Sequence, residues 1–398
     1  MDDTVLVINC GSSSLKVALF DADMNKLGSG LAERLGNSDA FAGLSGEPER
    51  IPLANGASHK DALEALIEAF RQRNLLNAQP AAIGHRVVHG GERFREAARV
   101  TDDVIAAIEQ CASLAPLHNP VNLAGIDAIS DLFPDVPQVV VFDTAFHQTL
   151  PEYAYRYALP DRFYQQWGVR RYGFHGTSHS FMATESARRL GKPTESTSII
   201  SAHLGNGCSI TAIREGASVD TSMGLTPLEG LVMGTRSGDV DPGLFDFLGS
   251  KGISADEVHR ILNHESGLLG ISGQTNDMRS LCELAEQGHR ASALAIEVFC
   301  FRLARYIGAM MASLTHLDAL VFTGGIGENS ALVRHKTLSH LSLPGFYVDR
   351  DLNQNHGRAS DGRIDSSNSR FAILVIPTDE ELVIAKAARA KATSEPHH

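Results

Sequence analysis

The sequence predicts an α/β fold made of two similar domains. Three observations support this fold class. Short apolar runs typical of strands alternate with segments of helical period, one strand-turn-strand pattern occurs twice, and 398 residues exceed the usual extent of a single core. Hydrophobic residues make up 43% of the chain and charged residues 21%, as in ordinary globular proteins. We therefore expect two domains, each with its own hydrophobic core.

Individual elements can be predicted from the apolar pattern. Residues 58–74 place their apolar side chains on one helical stripe, with Ser58 as a candidate cap. Residues 291–314 predict a long buried helix, whereas the polar segment 360–370 predicts a surface loop or hairpin. Five apolar runs predict strands: Val5 to Ile8, Val139 to Phe142, Ser198 to Ala202, Ala319 to Thr323 and Ala372 to Ile376.

The repeated pattern consists of two strands joined by a turn of small residues. It occurs as VLVINCGSSSLKVALF at residues 5–20 and as SIISAHLGNGCSITAI at residues 198–213. Because this strand-turn-strand pattern stands near the start of each half of the chain, we expect two similar domains facing one cleft. One loop from each domain would then be directed at a common ligand.

The small-residue turns are candidate phosphate-binding loops. Backbone N–H groups and hydroxyls can surround phosphate oxygens there, and Lys16 would add a positive charge. A plain polar hairpin is the alternative, because glycine and serine favour turns in any case. Besides the turn that precedes Lys16, the chain has glycine-rich turns at residues 203–209 and 322–330, and the three together favour the phosphate interpretation. Since none matches the P-loop or the dinucleotide-binding motif, we expect a nucleotide or phosphate site of another class.

Composition argues against several other functional classes. The formal net charge is −12 and there is no basic cluster, so nucleic acid is not an expected partner. No apolar run approaches the roughly 18 residues of a membrane helix, and acidic residues stand where a signal peptide would carry basic ones. We therefore expect a cytoplasmic protein without a membrane partner.

Zinc and disulfide sites are also disfavoured. The five cysteines are scattered and have no C-x-x-C spacing. The H-x-x-x-H spacing occurs at His85/His89 and at His175/His179, but the first lies in a predicted strand and the second contains a glycine and no H-E-x-x-H glutamate.

Nine motifs stand in the order in which they occur in the acetate kinases: NCGSSSLK, HRVVHGG, APLHNP, VFDTAFHQT, RRYGFHGTSH, HLGNG, TSMGLTPLEGLVMGTRSGD, FTGGIGEN and PTDEELVIA. The sequence resembles that family over essentially its whole length, and the long motif at residues 221–239 is the most specific. The resemblance implies two duplicated actin-like (ribonuclease H-like) α/β domains around a nucleotide cleft, formed by residues 1–147 with 380–398 and by residues 148–379. It also implies a homodimer.

The resemblance further implies roles for individual residues. The catalytic residues would be Arg86, Asp143, His175 and Arg236. The acyl substrate would contact Arg86, Val88, Leu117, His118, Phe174 and Pro227. ATP or ADP would bind Ser12, Ser14 and Lys16, His203, Leu204, Gly205, Asn206 and Gly207, Asp277, Met278 and Arg279, and Gly325, Ile326, Gly327, Glu328 and Asn329. Magnesium, for which Mn²⁺ can substitute, would be held through Asn9 and Glu380.

One position departs from the family pattern. Asp379 stands where the family commonly has asparagine, and a carboxylate beside Glu380 can change the affinity for magnesium.

The implied reaction is ATP + acetate ⇌ ADP + acetyl phosphate. A carboxylate nucleophile is already ionised at neutral pH and needs no general base, so we hypothesise that Asp143 positions magnesium, directly or through water. Arg86 would hold the acyl substrate, while Arg236 and His175 stabilise charge in the transition state. Val88, rather than a smaller residue, favours acetate over propionate.

Two alternatives remain open at this point. One is a propionate or butyrate kinase of the same fold. The other is an actin-like or Hsp70-like ATPase with a conformational output, which is disfavoured because no spare segment of about 100 residues is left for a further domain.

Overall fold

The structure is a computed structural model that describes residues 3–116 and 118–393. The chain forms two compact units, Met1–Phe146 with Asp379–His398 (unit 1) and His147–Thr378 (unit 2). The described strands form one sheet of eight and one of five, and helices accompany both sheets. The α/β class predicted from the sequence is confirmed.

The strands are as follows, with β1 to β8 in unit 1 and β9 to β13 in unit 2: β1 (Val5–Cys10), β2 (Ser14–Phe20), β3 (Lys26–Glu33), β4 (Phe41–Leu44), β5 (Ile51–Pro52), β6 (Ala82–Val87), β7 (Ala98–Arg99), β8 (Gln138–Phe142), β9 (Ile199–Leu204), β10 (Cys208–Arg214), β11 (Ala217–Thr221), β12 (Ala319–Thr323) and β13 (Ala372–Val375).

The α-helices are α1 (His59–Gln72), α2 (Asp102–Gln110), α3 (Asn119–Leu132), α4 (Glu152–Tyr155), α5 (Arg162–Trp167), α6 (Gly176–Leu190), α7 (Leu244–Gly249), α8 (Ala255–His264), α9 (Gly267–Ser272), α10 (Met278–Glu286), α11 (Arg290–Met311), α12 (Gly324–Asn329), α13 (Ala331–Ser339), α14 (Arg350–Gln354) and α15 (Glu380–Thr393).

The sheet of unit 1 is buried on both faces at its centre. Its strand order is β5-β4-β3-β2-β1-β6-β8-β7, and β1, β6 and β8 are parallel neighbours. Along β1, Leu6 and Ile8 pack in a cluster with residues of α1 and α3, while Val5 and Val7 pack in a cluster with residues of α15. This explains why β1 is a continuous apolar run rather than an alternating one.

Helix α15 lies very close to β6. A Cβ atom at Gly84 would be 2.6 Å from Ile384 Cγ2 and 3.1 Å from Ala388 Cβ. Glycine at this position therefore sets the distance between the helix and the sheet, because any side chain would push the helix away.

The sheet of unit 2 has the order β11-β10-β9-β12-β13, and β9 is parallel to β12 but antiparallel to β10. Every residue of β9 and β12 is buried. Helices α6 and α11 both pack against this sheet. The polar side chains on β9 and β10 therefore need partners within the protein.

The elements predicted from the sequence are largely confirmed. The two strand-turn-strand patterns are the antiparallel hairpins β1–β2 and β9–β10, and Ser58 caps α1 in a capping box with Asp61. The long helix is α11, which begins at Arg290 and ends at Met311. One expectation differs: the turn at residues 324–329 is the short helix α12, whose first residue, Gly324, has a φ of 77°.

Within residues 3–116 and 118–393, no helix combines the length and the apolar character needed to cross a membrane.

The approach of α15 to β6 predicts opposite effects for two glycine substitutions. Gly84→Ala should lower the free energy of unfolding by about 1–3 kcal/mol, because the methyl group overpacks the contact with Ile384. Gly308→Ala, in the last turn of α11 with open space around its Cβ position, should raise it by roughly 0.5–1 kcal/mol. Urea denaturation of both variants tests this. Equal stability of the Gly84 variant and the unchanged protein would show that the contact is not tight.

Candidate active site

Three predicted site residues of unit 1 lie at the carboxyl ends of neighbouring parallel strands. Asn9 is near the end of β1, Arg86 near the end of β6, and Asp143 directly follows β8. The strand register aligns Arg86 with Val141, so the side chains of Arg86 and Asp143 meet at one edge of the sheet. Ligands of open parallel sheets bind at this kind of edge.

Arg86 and Asp143 form a two-pronged ion pair. Arg86 Nε donates to Asp143 Oδ1 at 3.0 Å and Arg86 Nη2 donates to Asp143 Oδ2, while Arg86 Nη1 donates to Asn9 Oδ1 at 3.2 Å. The Asp143 side chain is 1% exposed and that of Arg86 20%. Both carboxylate oxygens of Asp143 therefore bind the guanidinium group.

Burial and the charge of the partner shift the pKa values of Arg86 and Asp143 in opposite directions. Burial lowers the pKa of Arg86, but the Asp143 carboxylate more than offsets it, so the pKa of Arg86 lies above its ordinary value. Burial raises the pKa of Asp143, and the charge of Glu380 adds to this, while Arg86 lowers it in part. Arg86 thus stays a cation, and its positive charge offsets the cost of burying the Asp143 carboxylate.

Glu380, the first residue of α15, is near enough to influence both charges of the pair. Together with Asn9 Oδ1 it supplies oxygen donors at the same strand ends, which suits Mg²⁺, a cation that takes one or two protein carboxylates and keeps several waters. Among the residues that the structure describes, no group of three or more histidine, cysteine, aspartate or glutamate side chains is placed to hold a metal ion. The donor set therefore fits a magnesium ion that shares its coordination with phosphate and water.

The departure at Asp379 has a local explanation. Its Oδ1 accepts a hydrogen bond from the Leu382 backbone at 3.0 Å and lies 3.6 Å from Lys26 Nζ, which also binds Glu381. The Asp379 carboxylate thus accepts a hydrogen bond from the first turn of α15, as an N-cap residue does, and forms an ion pair with Lys26.

The first small-residue turn is a tight hairpin. The Gly11 backbone N–H donates to Ser14 O at 2.8 Å, and Ser12 is exposed. Lys16 is also exposed and stands opposite Asn9 in the β1–β2 register, so the two side chains share one face of the hairpin.

The residues predicted to contact the acyl substrate belong to different units. Val88 is buried and its backbone N–H donates to Asn122 Oδ1 at 3.1 Å, while His118 directly precedes α3. Phe174 and Pro227 belong to unit 2. Leu117 lies outside the described residues.

In unit 2, the side chains of His175 and Arg236 converge on Gly207. A Cβ atom at Gly207 would lie 3.5 Å from His175 Nε2 and 3.6 Å from Arg236 Nη1. His175 directly precedes α6 with a φ of 56°, and its ring centroid is 4.3 Å from that of His203. Burial lowers the pKa of Arg236.

The segment that carries Arg236 is an irregular loop supported by polar contacts. Arg236 Nη1 donates to Pro227 O at 2.8 Å, and the Gly230 backbone N–H donates to Asp239 Oδ1 at 2.8 Å. Gly238 has a φ of 67° and its backbone is so close to Gly230 that a Cβ would be 2.4 Å from Gly230 O. This crowding explains why the 221–239 motif is long and specific, since few other sequences can form the loop.

A cavity of about 1060 Å³ lies within unit 2, and three predicted nucleotide-binding segments line it. The lining includes Gly205 and Asn206, residues 277–279, and Gly325, Ile326 and Asn329. Asp277 caps α10 by accepting from the Ser280 backbone.

Four other residues predicted for these segments have different surroundings. Leu204 and Gly327 are buried, and the Glu328 carboxylate accepts from the backbones of Gly324 and Thr378. His203 Nδ1 contacts Ser178 Oγ at 2.8 Å. These residues support the turns rather than line the cavity.

Comparison with known proteins identifies the family. Residues 4–386 match the model of the acetokinase family. The chain belongs to the acetokinase family. It is 53% identical over 389 residues to an acetate kinase of Deinococcus deserti, covering 96% of each chain.

Two solved structures are similar over nearly their whole length. A propionate kinase from Francisella tularensis superposes with a TM-score of 0.92 at 44% identity, covering 98% of this chain and 99% of that one. An acetate kinase from Porphyromonas gingivalis has a TM-score of 0.91 at 41% identity, with the same coverage. As an acetokinase, the chain is a phosphotransferase with a carboxyl group as acceptor, and ATP and ADP are its co-substrates.

Arg334 in this acetokinase supports residues that line the cavity, a role that the sequence does not reveal. It lies on α13, is fully buried, and donates to the carbonyl oxygens of Gly327 at 2.7 Å and Glu328 at 3.0 Å, to Asn353 Oδ1 and O at 2.8 Å each, and to His356 Nδ1 at 3.0 Å. Burial lowers the pKa of Arg334 to about 10. The guanidinium thus joins α12 to Asn353 of α14 and to His356, which follows α14, and both segments line the cavity.

The convergence on Gly207 predicts the effect of one added methyl group. Gly207→Ala should lower kcat by about 10²-fold, because the methyl group occupies the space beside His175 and Arg236. Its melting temperature should stay close to that of the unchanged protein, since the methyl would meet its neighbours at 3.5 Å or more. Gly308→Ala is the control for the substitution type. Full activity of the Gly207 variant would place the reaction elsewhere.

Proposed function

We propose that this acetokinase catalyses the reversible, magnesium-dependent transfer of the γ-phosphoryl group of ATP to acetate, giving acetyl phosphate and ADP by direct in-line transfer. The observation that carries the proposal is the meeting of His175 Nε2 and Arg236 Nη1 at Gly207. The two preceding residues, Gly205 and Asn206, line the cavity of unit 2. Groups that stabilise phosphoryl charge thus adjoin the cavity proposed for the nucleotide.

The nucleotide would bind in the 1060 Å³ cavity. Residues 277–279 and Gly325, Ile326 and Asn329 would contact it there, while Ser12, Ser14 and Lys16 of unit 1 would contact its phosphates. The cavity is large enough for a nucleotide, since ligand pockets typically measure about 300–1000 Å³.

Arg86 is the proposed anchor of the acyl substrate. Its contacts to Asp143 and Asn9 use three of the five guanidinium N–H groups. The other two can bind a carboxylate or an acyl phosphate in a fork, a geometry that lysine cannot supply.

Asp143 would act by holding Arg86 rather than as a proton acceptor. Acetate is ionised at neutral pH and has no proton to give up. Both Asp143 oxygens accept from Arg86, which fixes the plane and direction of the guanidinium. Any influence of Asp143 on magnesium would then pass through this pair or through water.

Asn9 and Glu380 would hold the magnesium ion. When bound, the ion supplies charge neutralisation at the transferring phosphoryl group. In unit 2, Arg236 and His175 donate hydrogen bonds to the same phosphoryl oxygens as negative charge accumulates. The Arg236 guanidinium is oriented for this by its hydrogen bond to Pro227 O.

Acetate is the proposed substrate, with propionate as a side activity. Val88, Leu117, Phe174 and Pro227 would line the methyl pocket together with His118. One added methylene changes such pocket energies by only about 1–3 kcal/mol. The solved propionate kinase has the same fold, so the choice between the acids depends on pocket side chains rather than on architecture.

We further propose that the protein is a cytoplasmic homodimer in which the two units are actin-like domains. All five cysteines are free thiols, as is usual in a reducing compartment. Large apolar side chains such as Tyr153 and Trp167 of unit 2 are exposed and offer surface for self-association.

Hydroxylamine trapping tests the proposed reaction. Purified protein with magnesium and ATP is offered acetate, propionate and butyrate separately, and the acyl hydroxamate is measured. We expect acetate to have the highest kcat/KM, with propionate lower by about 10- to 200-fold. Arg236→Ala serves as the active-site control.

The other outcomes are equally informative. A preference for propionate or butyrate would keep the fold and the phosphoryl transfer but overturn the assignment of the methyl pocket. Hydrolysis of ATP without acyl phosphate from any acid would overturn the kinase reaction and favour an ATPase with a conformational output.

A further inference from the structure

A chain of alternating serines and histidines leads from the interior of unit 2 to His175. Ser201 Oγ is 2.9 Å from His179 Nδ1, His179 Nε2 is 2.7 Å from Ser209 Oγ, and Ser209 Oγ is 2.9 Å from His175 Nδ1. Ser201, His179 and Ser209 are fully buried. The two hydrogen bonds of His179 are thus shielded from water, whereas the one to the half-buried His175 is partly buried.

The chain follows from the β9–β10 pairing. Ser201 lies opposite Thr211, and His203 lies opposite Ser209, so these side chains share one face of the sheet. Helix α6 packs on β9 and carries His179 one helical turn after His175. A serine from each strand therefore contacts the same helix.

His179 is neutral in this environment. Burial lowers the pKa of His179 well below its ordinary value, and the nearby His147 and His203 add to this effect. A neutral imidazole has one N–H group and one acceptor nitrogen, and a serine hydroxyl has one proton. Ser209 can therefore donate to only one of the two histidines, and if its proton is used within the chain, its hydrogen bonds run either from His179 towards His175 or in the reverse direction.

We propose that His179 and Ser209 are positioning residues that hold neutral His175 in the tautomer with its proton on Nε2. In this direction Ser201 donates to His179 Nδ1, His179 Nε2 donates to Ser209, and Ser209 donates to His175 Nδ1. The inference rests on the proposed function, in which His175 donates a hydrogen bond to the transferring phosphoryl group.

The opposite direction would not serve that function. If His175 Nδ1 donated to Ser209, the Nε2 of a neutral ring would present a lone pair towards Gly207 and repel phosphoryl oxygens. With the proton on Nε2, the ring offers an N–H group 3.5 Å from the Cβ position of Gly207, beside the Arg236 cation, whose Nη1 lies 3.6 Å from the same position. A fixed donor needs no reorganisation when charge develops.

Nitrogen NMR of the unmodified protein tests the tautomer without reference to activity. The protein is labelled with ¹⁵N-histidine, and the His175 signals are assigned from their loss in His175→Gln. We expect His175 Nε2 to show the shift and couplings of a protonated nitrogen and Nδ1 those of an unprotonated one. The reverse pattern, or an equal mixture of tautomers, would overturn the proposal.

Kinetics of a matched pair of variants tests the positioning role. Ser209→Ala removes the hydroxyl that joins the two histidines. Thr211→Val removes another buried hydroxyl from the same face of β10, one that contacts Thr221 Oγ1 at 2.9 Å instead. We expect kcat to fall about 10- to 100-fold in Ser209→Ala with KM for ATP nearly unchanged, and Thr211→Val to keep kcat within about threefold.

Ser209→Thr, which keeps a hydroxyl, should restore most of kcat. Equal loss of kcat in the Ser209→Ala and Thr211→Val variants would overturn the positioning role, as would full activity of Ser209→Ala. Failure of the proposed function is distinguishable, because the unmodified protein would then form no acyl phosphate whatever tautomer the NMR spectrum shows.

Discussion

The buried ion pair between Arg86 and Asp143 is the constraint on which the site of unit 1 depends. A carboxylate that is 1% exposed is costly to bury unless it is paired and hydrogen-bonded. Arg86 meets this requirement with two N–H groups because β6 and β8 are parallel neighbours whose ends are in register. The same contact fixes the guanidinium beside Asn9 and Glu380. Stability and the proposed binding of substrate by Arg86 would therefore require the same geometry at this edge of the sheet.

In unit 2, the buried polar side chains are satisfied mainly by hydrogen bonds between neutral groups. Its strands β9 and β10 carry serine, threonine and histidine side chains whose partners are neutral groups of α6, of His175 before it and of β11. A neutral network avoids the desolvation cost of buried charge but requires every donor to find an acceptor. Arg334 is a buried cation of unit 2, and it is held by carbonyl oxygens, an amide oxygen and a histidine ring. The glycine-rich turns allow the backbone to pass closely beside these hydrogen-bonded side chains.

The sequence predicts those features that local chemistry determines. Five apolar runs predict β1, β8, β9, β12 and β13 to within about two residues at their ends because burial requires apolar side chains there. The capping box at Ser58 depends only on residues three apart. The repeated hairpin is also visible, since small residues interrupt two apolar runs in the same way.

Long-range contacts could not be predicted from local patterns. Arg334 resembles any helix arginine in the sequence, and only the packing of α13 against residues 353–356 buries it. His179 invites a zinc interpretation by its spacing from His175, whereas serines from two strands occupy its ring nitrogens. The helical form of residues 324–329 was hidden by their glycines, which usually mark turns. The roles proposed for the site residues came from family resemblance, because the local sequence pattern does not assign them.

The claim that Asp143 acts through Arg86 is tested most directly by a double-mutant cycle. Arg86→Lys, Asp143→Asn and the double variant are compared with the unchanged protein for kcat/KM with acetate, at several magnesium concentrations. If Asp143 works by holding Arg86, the double variant should lose little more than the worse single variant, with a coupling energy of about 2 kcal/mol or more at every magnesium concentration. Losses that simply multiply, together with recovery of Asp143→Asn at high magnesium, would contradict the account and assign Asp143 to the metal instead.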